Sequence, residues 1–243
     1  MSAPLVRRVC AELLGTALLV TAVVGSGIAA AALSPGDVGL QLFENAFATA
    51  LALGVLIVMF GPASGAHFNP VVTSVDWWLH RRDGQVRARH ASAYVLAQIV
   101  GGVGGAVLAN VMFGLRAVSW SHTDRSAAHL WLGEAVATAG LILLIFSLVR
   151  TGRAGAMSVA VGAYIGAAYW FTSSTSFANP AVTIGRTFSD TFAGIAPGSV
   201  PGFVAAQAIG GAVGAAVLAI IYPRTSEPAV GDSAELAETG ARS

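Results

Sequence analysis

Charged residues are scarce in this chain, and lysine is absent altogether. Only 10% of the 243 residues are charged, all 13 basic residues are arginine, and 55% of the residues are hydrophobic. A soluble domain carries far more charge than this. The net charge of +1 gives no electrostatic case for binding nucleic acid. The composition therefore indicates an integral membrane protein whose surroundings are a lipid bilayer.

Cysteine and clustered histidine are also lacking. The single Cys10 cannot form an internal disulfide, and we expect it to pack as a small hydrophobic side chain. The histidines are His67, His80, His90, His122 and His129. They are scattered along the chain, without the spacing of a metal site or of a nucleophile and its base. We therefore expect no metal, no cofactor and no enzymatic activity.

Long apolar stretches dominate what is present. They cover residues 9–32, 40–60, 91–113, 129–149, 156–175 and 200–222. Each is close to the roughly 20 residues that a helix needs to cross the hydrocarbon of a membrane. The sequence thus predicts an all-α fold with six spanning helices. The first stretch is long for a secretory signal, carries Glu12 and is followed by five more, so we expect it to remain as a helix.

The arginines assign an orientation to these helices. If the N-terminus is cytoplasmic, ten of the 13 arginines fall on the cytoplasmic side: Arg7, Arg8, Arg81, Arg82, Arg87, Arg89, Arg150, Arg153, Arg224 and Arg242. Arg116, Arg125 and Arg186 fall on the other side. Because cytoplasmic loops are enriched in basic residues, we expect both termini in the cytoplasm. The Ala, Val and Arg content without Lys suits a bacterial genome, which makes the expected location a bacterial inner membrane.

Three landmarks recur in the same order in the two halves of the chain. They are Glu12 with Thr16 and Glu134 with Thr138, then Asn69-Pro70 and Asn179-Pro180, then the similar segments 97–102 and 206–211. Each half holds three spans, an odd number, so the second copy must enter the membrane from the opposite side. The prediction is one transmembrane domain, 1–224, with inverted repeats at about 5–115 and 127–222, and a disordered polar tail, 225–243.

Each half also contains an apolar segment that is interrupted by proline or glycine. Gly61–Leu79 and Phe171–Phe188 are predicted to enter the membrane as a loop and a half-helix, which requires burial in protein or a watery cavity. Asparagine is a favoured N-cap and proline fits the first helical turn, so each half-helix should begin at its Asn-Pro. Two half-helices of about ten residues, each ~15 Å long, would together span a core of ~30 Å if their N-termini met.

The two asparagines at this meeting point admit two readings. They are either N-caps alone, or caps whose amides also donate to a passing solute. Intramembrane polar residues usually mark a pathway, and symmetrical placement favours the second reading. The facing N-termini would carry partial positive charge, which disfavours cations and protons but not a neutral hydroxylated solute.

At this point the sequence resembles the aquaporin, or major intrinsic protein, family along residues 5–222. The resemblance rests on the paired Asn-Pro boxes in inverted repeats, the 64–70 lead-in and the glutamates of the first and fourth spans. It implies a right-handed bundle of six helices and two half-helices, one pore in each subunit, and a homotetramer.

The resemblance also implies roles for individual residues. The centre of the pore would be formed by Asn69, Pro70, Val71, Asn179, Pro180 and Ala181. Glu12 and Glu134 would accept hydrogen bonds from the re-entrant loops, whereas a proton relay is the alternative for an ionisable group inside a span. Two roles are open for His67: lining the channel and supporting its loop. Gly101 with Gly105, and Gly210 with Gly214, indicate close helix packing.

Family members narrow at four positions near the outer mouth. Counting from the Asn-Pro boxes places these positions at Thr49, Ala167, Ser176 and Val182. Water-selective members carry an aromatic residue, a histidine, a small residue and an arginine there, and this chain lacks the aromatic, the histidine and the arginine. We expect a wide, uncharged mouth. Arg186, one turn beyond Val182, is either a vestibule residue or a surface arginine.

The sequence therefore predicts a passive channel for water and small neutral solutes such as glycerol and urea. A channel for metalloids, arsenite or methylated arsenic, is the main alternative. An ion channel would need carboxylates facing the pore, for which only Glu12 and Glu134 are available, and a structural membrane protein would need no open pore.

Overall fold

The computed structural model describes residues 3–81 and 88–223, and within these ranges it is helical without a β-strand. In chain order the α-helices are α1 (Leu5–Leu33), α2 (Val38–Ser64), α3 (Pro70–His80), α4 (Ala88–Met112), α5 (Ala128–Arg150), α6 (Met157–Phe171), α7 (Pro180–Gly185) and α8 (Val200–Ile221). Short 3₁₀ turns cover Ala154–Ala156, Arg186–Phe188 and Pro197–Ser199.

Six helices in the described part of the chain are long and apolar enough to cross a membrane: α1, α2, α4, α5, α6 with its preceding 3₁₀ turn, and α8. They correspond one by one to the six apolar stretches of the sequence. The predicted fold of six spans and two half-helices in inverted repeats is confirmed. We call the end of the bundle where α1 ends and α2 begins the outer end, and the opposite end the inner end.

The half-helices α3 and α7 both begin at the proline of an Asn-Pro pair. The predicted length of about ten residues matches α3, which has 11. It is wrong for α7, which has six before the 3₁₀ turn Arg186–Phe188. The reason lies in the loop at the outer end, where Ser119 N–H and Ser121 N–H donate to the carbonyls of Phe188 and Thr187. These carbonyls of the 3₁₀ turn are therefore bonded to the loop, and no further helical turn follows Phe188.

Glycine allows two helices within each half of the chain to pack closely. A side chain at Gly101 or Gly105 would collide with backbone carbonyls of α1, and one at Gly210 or Gly214 with carbonyls of α5. Helix α4 therefore lies against α1, and α8 lies against α5, with their backbones almost in contact. The predicted packing role of these glycines is confirmed.

The outer surface of the bundle is apolar. On α1 the exposed positions Val6, Cys10, Leu14 and Leu18 follow one another at intervals of four, which places them on one face of the helix. Cys10, which we expect to pack as a small hydrophobic side chain, belongs to this outward-facing apolar surface. The predicted disordered tail, 225–243, and residues 82–87 of the arginine-rich loop lie outside the described residues.

Candidate functional site

The two loops that lead into the half-helices have the same backbone conformation. In the first loop Gly65, Ala66 and Phe68 have positive φ angles of 92°, 50° and 49°. In the second, Thr175, Ser176 and Ala178 have φ angles of 61°, 48° and 49°. The six residues stand at the same three offsets before Asn69 and Asn179, so the inverted repeat extends to single backbone angles.

Thr175 is strained by this conformation, because a β-branched residue is a genuine outlier at positive φ. Its counterpart in the first loop is Gly65, which adopts such angles freely. Thr175→Gly is expected to raise the free energy of unfolding by up to about 1 kcal/mol, the relief of strain being partly offset by chain entropy. Gly65→Thr is the matched control and should lower it. Thermal unfolding in detergent measures both, and a lower melting temperature for Thr175→Gly would contradict the assignment of strain.

A buried glutamate holds each loop. Glu12 accepts hydrogen bonds from the backbone N–H of His67 at 3.0 Å and of Phe68 at 2.7 Å. Glu134 accepts from the N–H of Phe177 and of Ala178, both at 2.8 Å. Both glutamates are 0% exposed. Each carboxylate is thus occupied by the loop that its own half of the chain contributes.

A glutamine from the third span of each half completes this support. Gln98 donates to Glu12 at 2.7 Å and to Thr73 Oγ1 at 2.9 Å. Gln207 donates to Glu134 at 2.6 Å and to Thr183 Oγ1 at 2.9 Å. The sequence reasoning did not assign these glutamines a role, although both stand in the repeated segments 97–102 and 206–211.

The asparagines meet where the half-helices face each other. Asn69 Oδ1 accepts the N–H of Val71 at 2.9 Å, and Asn179 Oδ1 accepts the N–H groups of Ala181 and Val182 at 2.9 and 3.3 Å. Each asparagine also donates from Nδ2 to the carbonyl that precedes the other box, Asn69 to Ala178 and Asn179 to Phe68, both at 2.7 Å. An amide nitrogen carries two hydrogens, so one hydrogen of each side chain is left for another acceptor.

A cavity of about 260 Å³ runs beside the two asparagines. Most of its wall is apolar and comes from α1, α2, α5 and α6, with side chains such as Leu19, Leu53, Leu141 and Val161. Asn69 and Asn179 belong to its lining, whereas Glu12 and Glu134 do not. Pro70, Val71, Pro180 and Ala181 are buried in the half-helices and are also absent from the lining.

At the outer end the cavity is lined by Thr49, Ser176 and Val182, three of the four positions found by counting. The fourth prediction is wrong: Ala167 is exposed on the outside of α6 and absent from the lining. The inward face of α6 is instead formed by Val161, Ile165 and Tyr169. These residues are four apart and share one face of the helix. This four-residue spacing is the sequence pattern from which the inward face of α6 could have been predicted.

Tyr169 was missed and is a central residue of the outer end. It is buried, and its hydroxyl donates to Thr49 Oγ1 at 3.3 Å. Tyr169 therefore brings to the wall an aromatic ring that the counted positions lack. Phe177 also lines the cavity and packs edge to face on Phe203, with ring centroids 5.1 Å apart.

Arg186 lies inside the protein rather than on its surface. It is 2% exposed, and it lines the cavity together with Val182. Its guanidinium carbon lies 3.4 Å from the centroid of the Phe177 ring, and its Nε donates to the carbonyl of Ala193. The expectation of an uncharged mouth is therefore wrong, and so is the surface alternative for Arg186.

The inner end of the cavity contains His67 and Asp76. His67 combines the two roles that the sequence left open, because its ring lines the cavity while its Nδ1 lies 3.1 Å from Thr73 Oγ1. Asp76, which the sequence reasoning missed, pairs with His80 one turn along α3 at 3.1 Å.

Comparison with known proteins gives consistent matches. Residues 1–176 match the family model described as "Major intrinsic protein". The chain is 48% identical over 186 residues to aquaglyceroporin AqpS of Rhizobium meliloti, covering 76% of this chain and 77% of that protein. It is 29% identical over 215 residues to the probable aquaporin AqpM of Archaeoglobus fulgidus, covering 78% and 86%. Among solved structures, the aquaglyceroporin from Plasmodium falciparum aligns with a TM-score of 0.66 at 19% identity, covering 88% of this chain and 96% of that one.

Proposed function

The chain belongs to the major intrinsic protein family, and we propose from this premise that it is a passive membrane channel for water and small neutral solutes such as glycerol and urea. Its relatives include a protein named as an aquaglyceroporin. The family is one of channels, and transport of this kind requires only a gradient of the solute.

The observation that carries this function is the position of Asn69 and Asn179 in the wall of an otherwise largely apolar cavity. A hydroxylated solute that leaves bulk water must find hydrogen-bond partners along its path, because an unpaired polar group in a dry cavity is costly. The free amide hydrogens offer such partners at the centre. The apolar wall on either side keeps the solute from binding tightly, which conduction requires.

Cations are disfavoured at the same place. The N-termini of α3 and α7 face each other, with their first backbone N–H groups capped by the asparagines. Helix N-termini carry partial positive charge, and a cation there would have little water to screen it. An ion channel that uses Glu12 and Glu134 is not supported, because both carboxylates are hydrogen-bonded to the loops and lie outside the lining.

The metalloid alternative gains no separate support from the cavity. Undissociated arsenous acid is a small neutral solute with several hydroxyl groups, so the lining offers it the same partners as glycerol. It belongs in the transport experiment as one more solute.

The arginine distribution and the family support a proposal for the setting of the channel. We place it as a multi-pass protein in a bacterial inner membrane, with both termini in the cytoplasm, so that the outer end faces away from the cytoplasm. The assembly that fits the family is a homotetramer with one pore in each subunit. The exposed apolar side chains of α2, among them Phe43, Phe47, Leu51 and Val55, would contact lipid or a neighbouring subunit.

The proposed function is tested with purified protein in liposomes. Stopped-flow light scattering measures the shrinkage of the vesicles in an impermeant osmolyte, and their re-swelling in glycerol, urea and arsenous acid. We expect water and glycerol to cross much faster than they cross empty liposomes, with no ionic current in a planar bilayer. Rates equal to those of empty liposomes for every solute would support the structural alternative instead.

A further inference from the structure

The cationic side chain at the outer end of the cavity is that of Arg186, which lies four residues beyond the counted position Val182. Val182 and Arg186 are four residues apart, the interval that brings two side chains onto one face of a helix. Both line the cavity. Arg186 follows the end of α7, in the 3₁₀ turn Arg186–Phe188, and is nevertheless 2% exposed.

The guanidinium of Arg186 is held on two sides. It lies over the ring of Phe177, 3.4 Å from the centroid, and its Nε donates to the carbonyl of Ala193. A guanidinium carries five N–H donors. Within residues 3–81 and 88–223, the carbonyl of Ala193 is the one protein acceptor that it has, and no carboxylate lies within ion-pair distance of it. The other four donors therefore have no protein acceptor, and the side chain brings its positive charge to the wall of the cavity.

Hydroxyl groups accompany the arginine. Ser176 Oγ is buried, and in the described part of the chain it has no hydrogen-bond partner. Ser176 is 3% exposed and lines the cavity. The hydroxyls of Tyr169 and Thr49 bond to each other in the same wall. Because the Ser176 Oγ atom has almost no accessible surface, a solute in the cavity does not reach it, and Arg186 is the donor that remains to meet a solute at this end.

We propose that Arg186 forms the site that selects solutes at the outer end of the channel, and that its charge is the barrier to cations there. The selected class is neutral solutes with a hydroxyl or carbonyl oxygen that accepts from the guanidinium. This assignment rests on the proposed channel function.

A second arginine offers a matched control. Arg125 also lies near Phe177, 5.1 Å from the ring centroid, and its Nε donates to the carbonyl of Gly194 at 3.0 Å. Arg125 therefore anchors Gly194, the neighbour of Ala193 in the same loop, but it does not line the cavity. If Arg186 only anchored this loop, the two arginines would be equivalent.

The test compares Arg186→Gln, Arg125→Gln and the double variant Arg186→Gln with Val182→Arg, all as full-length protein in liposomes. Proton and potassium flux are measured with a pH-sensitive dye and a potassium-sensitive dye, next to stopped-flow water and glycerol flux. We expect Arg186→Gln to raise the cation flux by about tenfold or more. Arg125→Gln should not, and the double variant should return the flux toward the wild-type value.

A cation flux in Arg186→Gln equal to that of wild type, or one raised equally by Arg125→Gln, would overturn the proposal. If Arg186→Gln does not fold, Arg186→Lys retains the charge but loses the planar fork. The Arg186→Lys protein should remain impermeable to cations, while its ratio of glycerol flux to water flux changes. An unchanged ratio would count against a solute site at this position. Wild-type protein no faster than empty liposomes would instead refute the channel function, whatever the variants do.

Discussion

Glu134→Ala is expected to abolish the channel by releasing the second re-entrant loop. The carboxylate is fully buried and accepts from Phe177 N–H, Ala178 N–H and Gln207 Nε2. Alanine would leave the two backbone N–H groups and one Nε2 hydrogen of Gln207 without an acceptor, and each buried unsatisfied hydrogen-bond donor costs about 1–3 kcal/mol. The expected loss of unfolding free energy is therefore at least about 3 kcal/mol. It would appear as a large drop in the melting temperature in detergent and as a loss of water flux.

Two further variants separate this explanation from a general effect of losing a carboxylate. Asp190 is exposed and accepts the N–H of His122 at 3.0 Å. Water can replace it, so Asp190→Ala should cost less than about 1 kcal/mol. Glu134→Gln keeps one acceptor oxygen, so its loss of unfolding free energy should lie between those of Glu134→Ala and Asp190→Ala. A Glu134→Ala protein as stable and as permeable as Asp190→Ala would show that the loop does not depend on the carboxylate.

Gly102→Ala is expected to displace the short half-helix α7. A Cβ at Gly102 would lie 2.6 Å from the carbonyl oxygen of Ala181, and this atom belongs to backbone that cannot rotate away. Overpacking of this kind costs about 1–3 kcal/mol. Because Ala181 precedes Val182, the shift would also move the outer end of the cavity. We expect a lower melting temperature and a reduced water flux.

Gly104 provides the control on the same helix. A Cβ at Gly104 would meet no atom within 4 Å, so Gly104→Ala should stabilise α4 by up to about 1 kcal/mol through helix propensity. The two glycine-to-alanine changes are thus expected to have opposite signs. Equal effects on the melting temperature and on the water flux would contradict the tight contact between α4 and α7.

The fold could be predicted from the sequence because its determinants repeat. Six apolar stretches, two Asn-Pro pairs and two glutamates recur in the same order, and each has a direct physical meaning in a membrane. The structure adds that the loops repeat to the level of single φ angles. Glycine at position 65 suggests a positive φ angle, but threonine at position 175 does not, and only the structure shows that the two backbone angles match.

The outer end of the cavity could be predicted only in part. Counting from Asn179 identified Ser176 and Val182, which belong to the same rigid segment as the asparagine. Counting back to Ala167 failed, because it crosses the end of α6 at Phe171 and a loop whose course the count does not contain. The position of Arg186 depends on a long flexible side chain that folds back onto Phe177. Spacing along the chain cannot indicate such a contact.

The most direct test of the permeation path replaces the single native cysteine and introduces a new one at a chosen position. In a Cys10→Ser background, a cysteine is placed either at Val182, in the cavity lining, or at Ala167, on the outside of α6. Water flux is then measured before and after treatment with a mercurial reagent, which modifies the cysteine. It is measured again after an added thiol has removed the reagent. We predict that the reagent blocks most of the water flux in the Val182→Cys protein and leaves that of Ala167→Cys unchanged. Inhibition at Ala167→Cys without inhibition at Val182→Cys would contradict a path through this cavity.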